Sequence, residues 1–120
     1  MRFTTSLKKN YEFKRLYSRG KSAASQYAVV YIRRNSKSEN RLGITVSKKV
    51  GGAVQRNLVR RRLKEIYRLS EDKLVAGYDV VIVARIQSRF AIYRDLETSV
   101  LGLFRKLNIV RAAVPGGNAG

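Results

Sequence analysis

Residues Tyr78 to Ala84 read YDVVIVA, a nearly unbroken β-branched run. A strand of this composition carries two apolar faces and is stable only when both are covered, as in a parallel pairing inside a sheet. Upstream, Arg41 to Ser47 alternates Leu42, Ile44 and Val46 with Gly43, Thr45 and Ser47, the two-residue period of another strand. Between the two lies VQRNLVRRRLKEIYR, Val54 to Arg68, whose apolar residues recur with helical spacing, and Lys48 to Gly52 forms the loop that opens this helix at about Ala53. Strand, helix and strand therefore form a β-α-β unit.

The other elements arrange themselves around that unit. A first helix is expected over Asn10 to Arg19, capped by Asn10 and stopped by Gly20, with Phe13, Leu16 and Tyr17 on one face. Gln26 to Arg33 alternates Tyr27, Val29, Tyr31 and Arg33 with Ala28, Val30 and Ile32, and reads as a strand. The polar turn Asn35 to Asn40 predicts that it pairs with Arg41 to Ser47 as a hairpin. Lys21 to Ser25 is short enough to be an edge strand. From Ile92 to Leu107 helical spacing returns, with Leu96, Val100, Leu103, Phe104 and Leu107 as the buried stripe. The expected order is α-β-β-β-α-β-α, a single α+β domain over residues 1–110. The tail RAAVPGGNAG carries the only proline and no periodicity, so residues 111–120 are expected to be disordered.

Charge restricts the function. The 120 residues carry a formal net charge of +18, far more than solubility requires, which implies a polyanionic partner. Residues 1–64 hold 18 Lys and Arg against Glu12 and Glu39, while residues 65–120 hold 8 against 6 acids, so the contact surface belongs to the N-terminal half. No apolar run is long enough for a membrane span, and MRFTTSLKKNYEF lacks the apolar core of a secretory signal. A soluble, cytoplasmic protein is expected.

Catalysis by the chain itself is not. It has no histidine and no cysteine, its serines have no base to activate them, and its acids are scattered apart from the adjacent Glu71 and Asp72. Neighbouring residues on a helix point apart, so no protein metal site is expected. The glycines of Lys48 to Gly52 do not form a nucleotide-phosphate loop, so no small-molecule substrate is expected either.

On the basic helix, steps of about 100° per residue gather Arg56, Asn57, Arg60, Arg61, Lys64 and Arg68 into one arc of about 140°. Val54, Leu58, Val59, Leu63, Ile66 and Leu69 fill the other side, where Arg62 and Glu65 interrupt them. The apolar side is expected to cover the sheet, which leaves none of it to insert into a membrane. Arginine outnumbers lysine on the arc, and its planar fork binds phosphate bidentately. No zinc spacing, heptad array or helix-turn-helix pattern points to a DNA reader. Phe13, Tyr17 and Tyr31, bordered by Lys14, Arg15 and Arg33, are candidates for stacking unpaired bases, although aromatics at helical spacing serve equally well as core.

The stretch RLGITVSKKVGGAVQRNLVRRRLKEIYR, Arg41 to Arg68, resembles the bacterial ribonuclease P protein component, combining R-x-G-x-x-V-S-K-K-V-G with R-N-x-x-[KR]-R-x-x-[KR]-E. The likeness runs from about Leu7 to Asn108. It departs from the family at Leu58, where many members carry a basic residue, and Arg62 is an additional charge. The resemblance implies a two-layer fold similar to the second domain of a small-subunit ribosomal protein, with a left-handed β-α-β crossover. It also implies a protein that assists a catalytic RNA in cutting the 5′ leader from precursor tRNA, with Mg²⁺ held mainly by the RNA. By that analogy Lys48, Lys49, Arg56, Asn57, Arg60, Arg61, Lys64 and Arg68 face the catalytic RNA, and Phe13, Tyr17, Tyr31 and Arg33 line the cleft for the single-stranded leader. A noncatalytic RNA-binding protein, such as a ribosomal protein or RNA chaperone, is the competing reading of the same composition.

Overall fold

A computed structural model describes residues 3–111; of the expected tail, 111–120, only Arg111 is described, its N–H donating to the Lys73 carbonyl at 2.7 Å, and the rest lies outside the described residues. Five strands form one mixed sheet: β1 (Thr4–Ser6), β2 (Lys21–Ala24), β3 (Ala28–Arg34), β4 (Asn40–Thr45) and β5 (Tyr78–Ala84). Three helices accompany it, α1 (Asn10–Arg19), α2 (Ala53–Ser70) and α3 (Tyr93–Lys106). The spatial order is β1-β4-β5-β3-β2. β5 pairs in parallel with β4 and antiparallel with β3, so the β-α-β unit exists as expected.

The strand order departs from the expected one in two respects. β3 and β4 do not pair as a hairpin, because β5 lies between them. Val80, Val81 and Ile82 are completely buried, and a strand apolar on both faces is best covered at the centre of the sheet. The sequence reading also missed β1, which pairs in parallel with β4 from Thr4↔Asn40 to Ser6↔Leu42 and precedes the expected element order. Its TTS sequence has no apolar alternation to show it, and it is held partly by side chains. Tyr67 and Thr4 share a hydroxyl hydrogen bond of 2.9 Å, and the Phe3 N–H donates to Glu71 Oε2 at 3.0 Å.

α2 and α3 cover one face of the sheet. There Ala28, Val30 and Ile32 of β3 and Val80 and Ile82 of β5 meet Val59, Leu63, Ile66, Leu96, Val100 and Phe104. α1 crosses part of the other face, where Leu7, Leu16 and Val81 form a smaller cluster with Phe13, Tyr31 and Val83. Lys9, not Asn10, occupies the capping position of α1, and its backbone N–H donates to Glu12. Gly20 ends the helix as expected, though by close approach: a Cβ there would stand 2.6 Å from the Leu16 carbonyl oxygen and 2.7 Å from that of Ile32. The following turn leads directly into β2, which pairs with β3 at the sheet edge.

Candidate nucleic-acid interface

The orientation of α2 decides which charges reach solvent. Its buried residues are Val59, Leu63, Ile66, Tyr67 and Ser70, whereas Val54, Leu58 and Leu69 are 84%, 36% and 51% exposed. The expected apolar side is thus corrected by a rotation of roughly 70° toward the basic arc. Tyr67 is the physical reason: its large ring packs edge-on against Phe104 with centroids 6.3 Å apart, and burying it draws its side of the helix onto the core. The basic arc therefore lies along a flank of α2, on the side where Tyr67 reaches β1.

Along that flank Asn57, Arg61, Lys64 and Arg68 are exposed, and Arg56 and Arg60 are half-buried. One Arg60 nitrogen donates to Asn57 Oδ1 at 3.1 Å, which holds the guanidinium along the helix surface. Arg56 Nε is buried without a hydrogen-bond partner among the described residues. Arg68 differs from the rest, since it forks onto Glu65 at 2.8 and 2.7 Å. The Glu65 carboxyl is held below its usual range mainly by that hydrogen bonding, with slight burial opposing. Among the described residues no acid pairs with Arg56, Arg60, Arg61 or Lys64. Lys48 and Lys49 are exposed in the turn after β4, just before the positive end of the α2 dipole. Arg62, expected among the apolar positions, is half-buried and donates to the Ala91 carbonyl at 3.1 Å.

The second group of candidates lies across the sheet, under α1. Tyr17 and Tyr31 meet edge to face, centroids 4.9 Å apart at 69°, and the Tyr17 hydroxyl is 3.3 Å from Thr45 Oγ1. Tyr17 is exposed and Tyr31 half-buried, so the pair presents an aromatic wall above the sheet. Phe13 is half-buried, with its ring close against β4 at Gly43, which makes it packing beneath the wall more than a free platform. Arg33 lines a shallow basic pocket with Tyr11, Lys14, Arg15, Ser18 and Arg19. The structure thus brings Tyr17 and Tyr31 together, keeps Phe13 under them and sets Arg33 at one end.

Reading the sequence placed Val29 beside Tyr31 on one side of β3 but did not bring in Val83 and Thr45, which the pairings Val29↔Val83 and Thr45↔Val83 set in the same row across β3, β5 and β4. Period-two alternation assigns each to a face, but only strand pairing makes them neighbours. It also missed the anchor of the cleft. Arg41 forks onto Asp79 at 2.8 and 2.7 Å and bonds to Glu12 of α1, tying the helix to β4 and β5. These contacts push the Arg41 guanidinium up and outweigh the burial that lowers it, Asp79 being the larger influence.

A flank on which four cations have no acidic partner among the described residues, and an aromatic cleft joined to it through the Ser47–Gly52 loop, have the chemistry that suits phosphates and unpaired bases. Among the described residues no three His, Cys, Asp or Glu side chains gather where they could hold a metal ion. Comparison with known proteins identifies the family. The Ribonuclease P family model matches residues 1–108. The chain belongs to the ribonuclease P protein family. It is 45% identical over 107 residues to the ribonuclease P protein component of Clostridioides difficile, covering 88% of this chain and 94% of that one. It is 41% identical over 114 residues to the component of Alkaliphilus oremlandii, covering 95% of this chain and all of that one. Among solved structures, the Staphylococcus aureus RNase P protein superposes with a TM-score of 0.82 at 30% identity, covering 88% of this chain and 97% of that one. The RNase P protein of Thermotoga maritima gives 0.77 at 28%, covering 84% and 96%. The α+β class expected from the sequence is therefore the ribonuclease P protein fold. None of its described helices is long and apolar enough to cross a membrane.

Proposed function

We propose that this chain is the protein subunit of a cytoplasmic ribonuclease P, binding the catalytic RNA along α2 and the single-stranded 5′ leader of precursor tRNA in the α1 cleft. The observation that carries the reading is the flank of α2, where Arg56, Arg60, Arg61 and Lys64 have no acidic partner among the described residues. Such a row gains most from phosphates, and each neutralised phosphate releases counterions. The Lys48–Lys49 turn extends the row at the helix start.

In this reading the RNA performs the hydrolysis with Mg²⁺ held mainly by its own phosphates. The protein lowers the repulsion between the two RNAs and thereby raises their affinity for each other and for the metal. The edge-to-face Tyr17–Tyr31 pair offers ring surface to unpaired leader bases, and Arg33 stands within reach of their phosphates. Spacing along the chain brings the two surfaces into one body, so that one protein touches catalyst and substrate together.

The test is cleavage of a precursor tRNA at moderate Mg²⁺ by a transcribed bacterial ribonuclease P RNA, with and without the protein. The expected result is strong stimulation, with no cleavage by the protein alone. Tight, salt-sensitive RNA binding without stimulation of any of several catalytic RNAs would replace this reading with a noncatalytic RNA-binding role. For the cleft, Tyr31→Ala is expected to weaken binding of leader-bearing substrate by about 5- to 100-fold, with little change for mature tRNA. Equal losses for both would remove the leader from the cleft.

A further inference from the structure

The segment joining β5 to α3, RIQSRFAI from Arg85 to Ile92, is firmly anchored yet turns its large apolar side chains outward. The Arg85 N–H donates to the Tyr27 carbonyl at 2.9 Å and its guanidinium to that of Ser25 at 3.1 Å. Ser88 Oγ donates to the Arg85 carbonyl at 2.6 Å, and Arg62 of α2 holds the Ala91 carbonyl. Ser88 and Ala91 are buried, whereas Ile86, Phe90 and Ile92 are 49%, 67% and 61% exposed. Leu58 and Val54, also exposed, stand one and two turns before Arg62 on the same flank of α2.

This surface takes no part in the cleft or the basic arc, and a lone packing role does not explain three large residues facing water from a pinned segment. The segment itself is cationic in sequence, up to Asp95. Arg85, Arg89 and Arg94 punctuate the sequence with no acid among them, and the Arg89 guanidinium lies 5.0 Å from the centroid of the Phe90 ring. A second copy of a chain with a charge of +18 would bring those arginines against one another. An unpaired nucleotide suits the site on both counts, because its base stacks on an aromatic ring while its phosphate pairs with arginine.

We propose that Phe90, flanked by Ile86 and Ile92 with Arg89 and Arg94 as phosphate partners, is a stacking site for an unpaired base of the catalytic RNA. The catalytic RNA is chosen over the leader because the segment packs on α2, the helix that carries the basic arc on its other flank, while the cleft opens on the opposite face of the sheet. The inference rests on the function proposed above.

The test measures affinity of the full chain for a transcribed bacterial ribonuclease P RNA across a salt series, for the wild type and for Phe90→Ala, Phe90→Trp and Arg89→Ala. Phe90→Ala is expected to weaken binding by about 5- to 100-fold without changing the slope of log K against log salt, and Phe90→Trp to restore it. Arg89→Ala is expected to reduce that slope by about one. Because the Phe90 ring is exposed, thermal melting of Phe90→Ala should match the wild type, which separates stacking from misfolding. Wild-type affinity in Phe90→Ala, with wild-type cleavage stimulation intact, would overturn this site and leave the subunit role standing. Failure of the wild type itself to bind would instead overturn the subunit reading. A loss confined to precursor tRNA binding by the assembled complex, or a wild-type dimer that Phe90→Ala dissociates with RNA affinity unchanged, would also overturn the site.

Discussion

At Gly43 the absence of a side chain lets the Phe13 ring lie on the sheet, since a Cβ there would stand 2.5 and 2.6 Å from two of its ring carbons. Gly43→Ala is expected to push the ring outward and destabilise the protein by about 1–3 kcal/mol, read as a lower midpoint in urea. It should also loosen the Tyr17–Tyr31 wall, which stands one turn further along α1. Gly20 offers no such escape, because the atoms its Cβ would meet are the backbone oxygens of Leu16 and Ile32. Gly20→Ala is therefore expected to cost more than Gly43→Ala in the same titration, and the reverse order would show that α1 shifts as a body. Both requirements are invisible in a chain of letters: each depends on which atoms another element brings close.

Within the helix α2, charge and packing are separable. Arg61 is exposed with no ion pair among the described residues, whereas Arg68 is held by Glu65. Arg61→Ala is expected to reduce the salt dependence of RNA binding by about one phosphate's worth while leaving the fold intact. Glu65→Gln releases the Arg68 guanidinium and is expected to strengthen RNA binding at low salt, by a factor that shrinks as salt rises. Unchanged affinity in Glu65→Gln would show that Arg68 lies outside the contact. Helical spacing by itself identified the cationic arc, because charge type and the 100° step are local properties. The arc's position relative to the sheet was not legible, because Tyr67, given no role in the sequence reading, is fully buried.

Against a charge of +18, few ion pairs form among the described residues, and the Glu12–Arg41–Asp79 group among them joins α1 to the sheet. Burial works to raise the Glu12 carboxyl, but hydrogen bonds from Arg41 and from the Lys9 and Lys8 backbone outweigh it, and the net shift is downward from 4.5. A carboxyl lowered by folding contributes stability that is fully present above its unfolded value and is lost as pH falls through the folded one. Stability should accordingly decline below about pH 4.5, and less steeply in Arg41→Met, which removes the partner of both acids. That variant is expected to be destabilised by roughly 2 kcal/mol at neutral pH, between the values for exposed and buried pairs. Urea titrations across pH check both statements, and parallel pH curves for the two proteins would sink the assignment of Glu12.

The order of helices and strands after β1, the faces of β3 and β5, the concentration of cations on α2 and the absence of histidine chemistry all follow from the sequence, because composition, period and charge act over a few residues. Three matters were decided only by the tertiary structure. β5 enters between β3 and β4, since covering a strand apolar on both faces outweighs the smaller loop entropy of a local hairpin. β1 joins an edge through contacts to Tyr67 and Glu71, more than sixty residues away. α2 turns Val54, Leu58 and Leu69 outward because Tyr67 fills the core better than they do, and that rotation sets the cations along a flank of the helix, with Arg61 and Lys64 exposed.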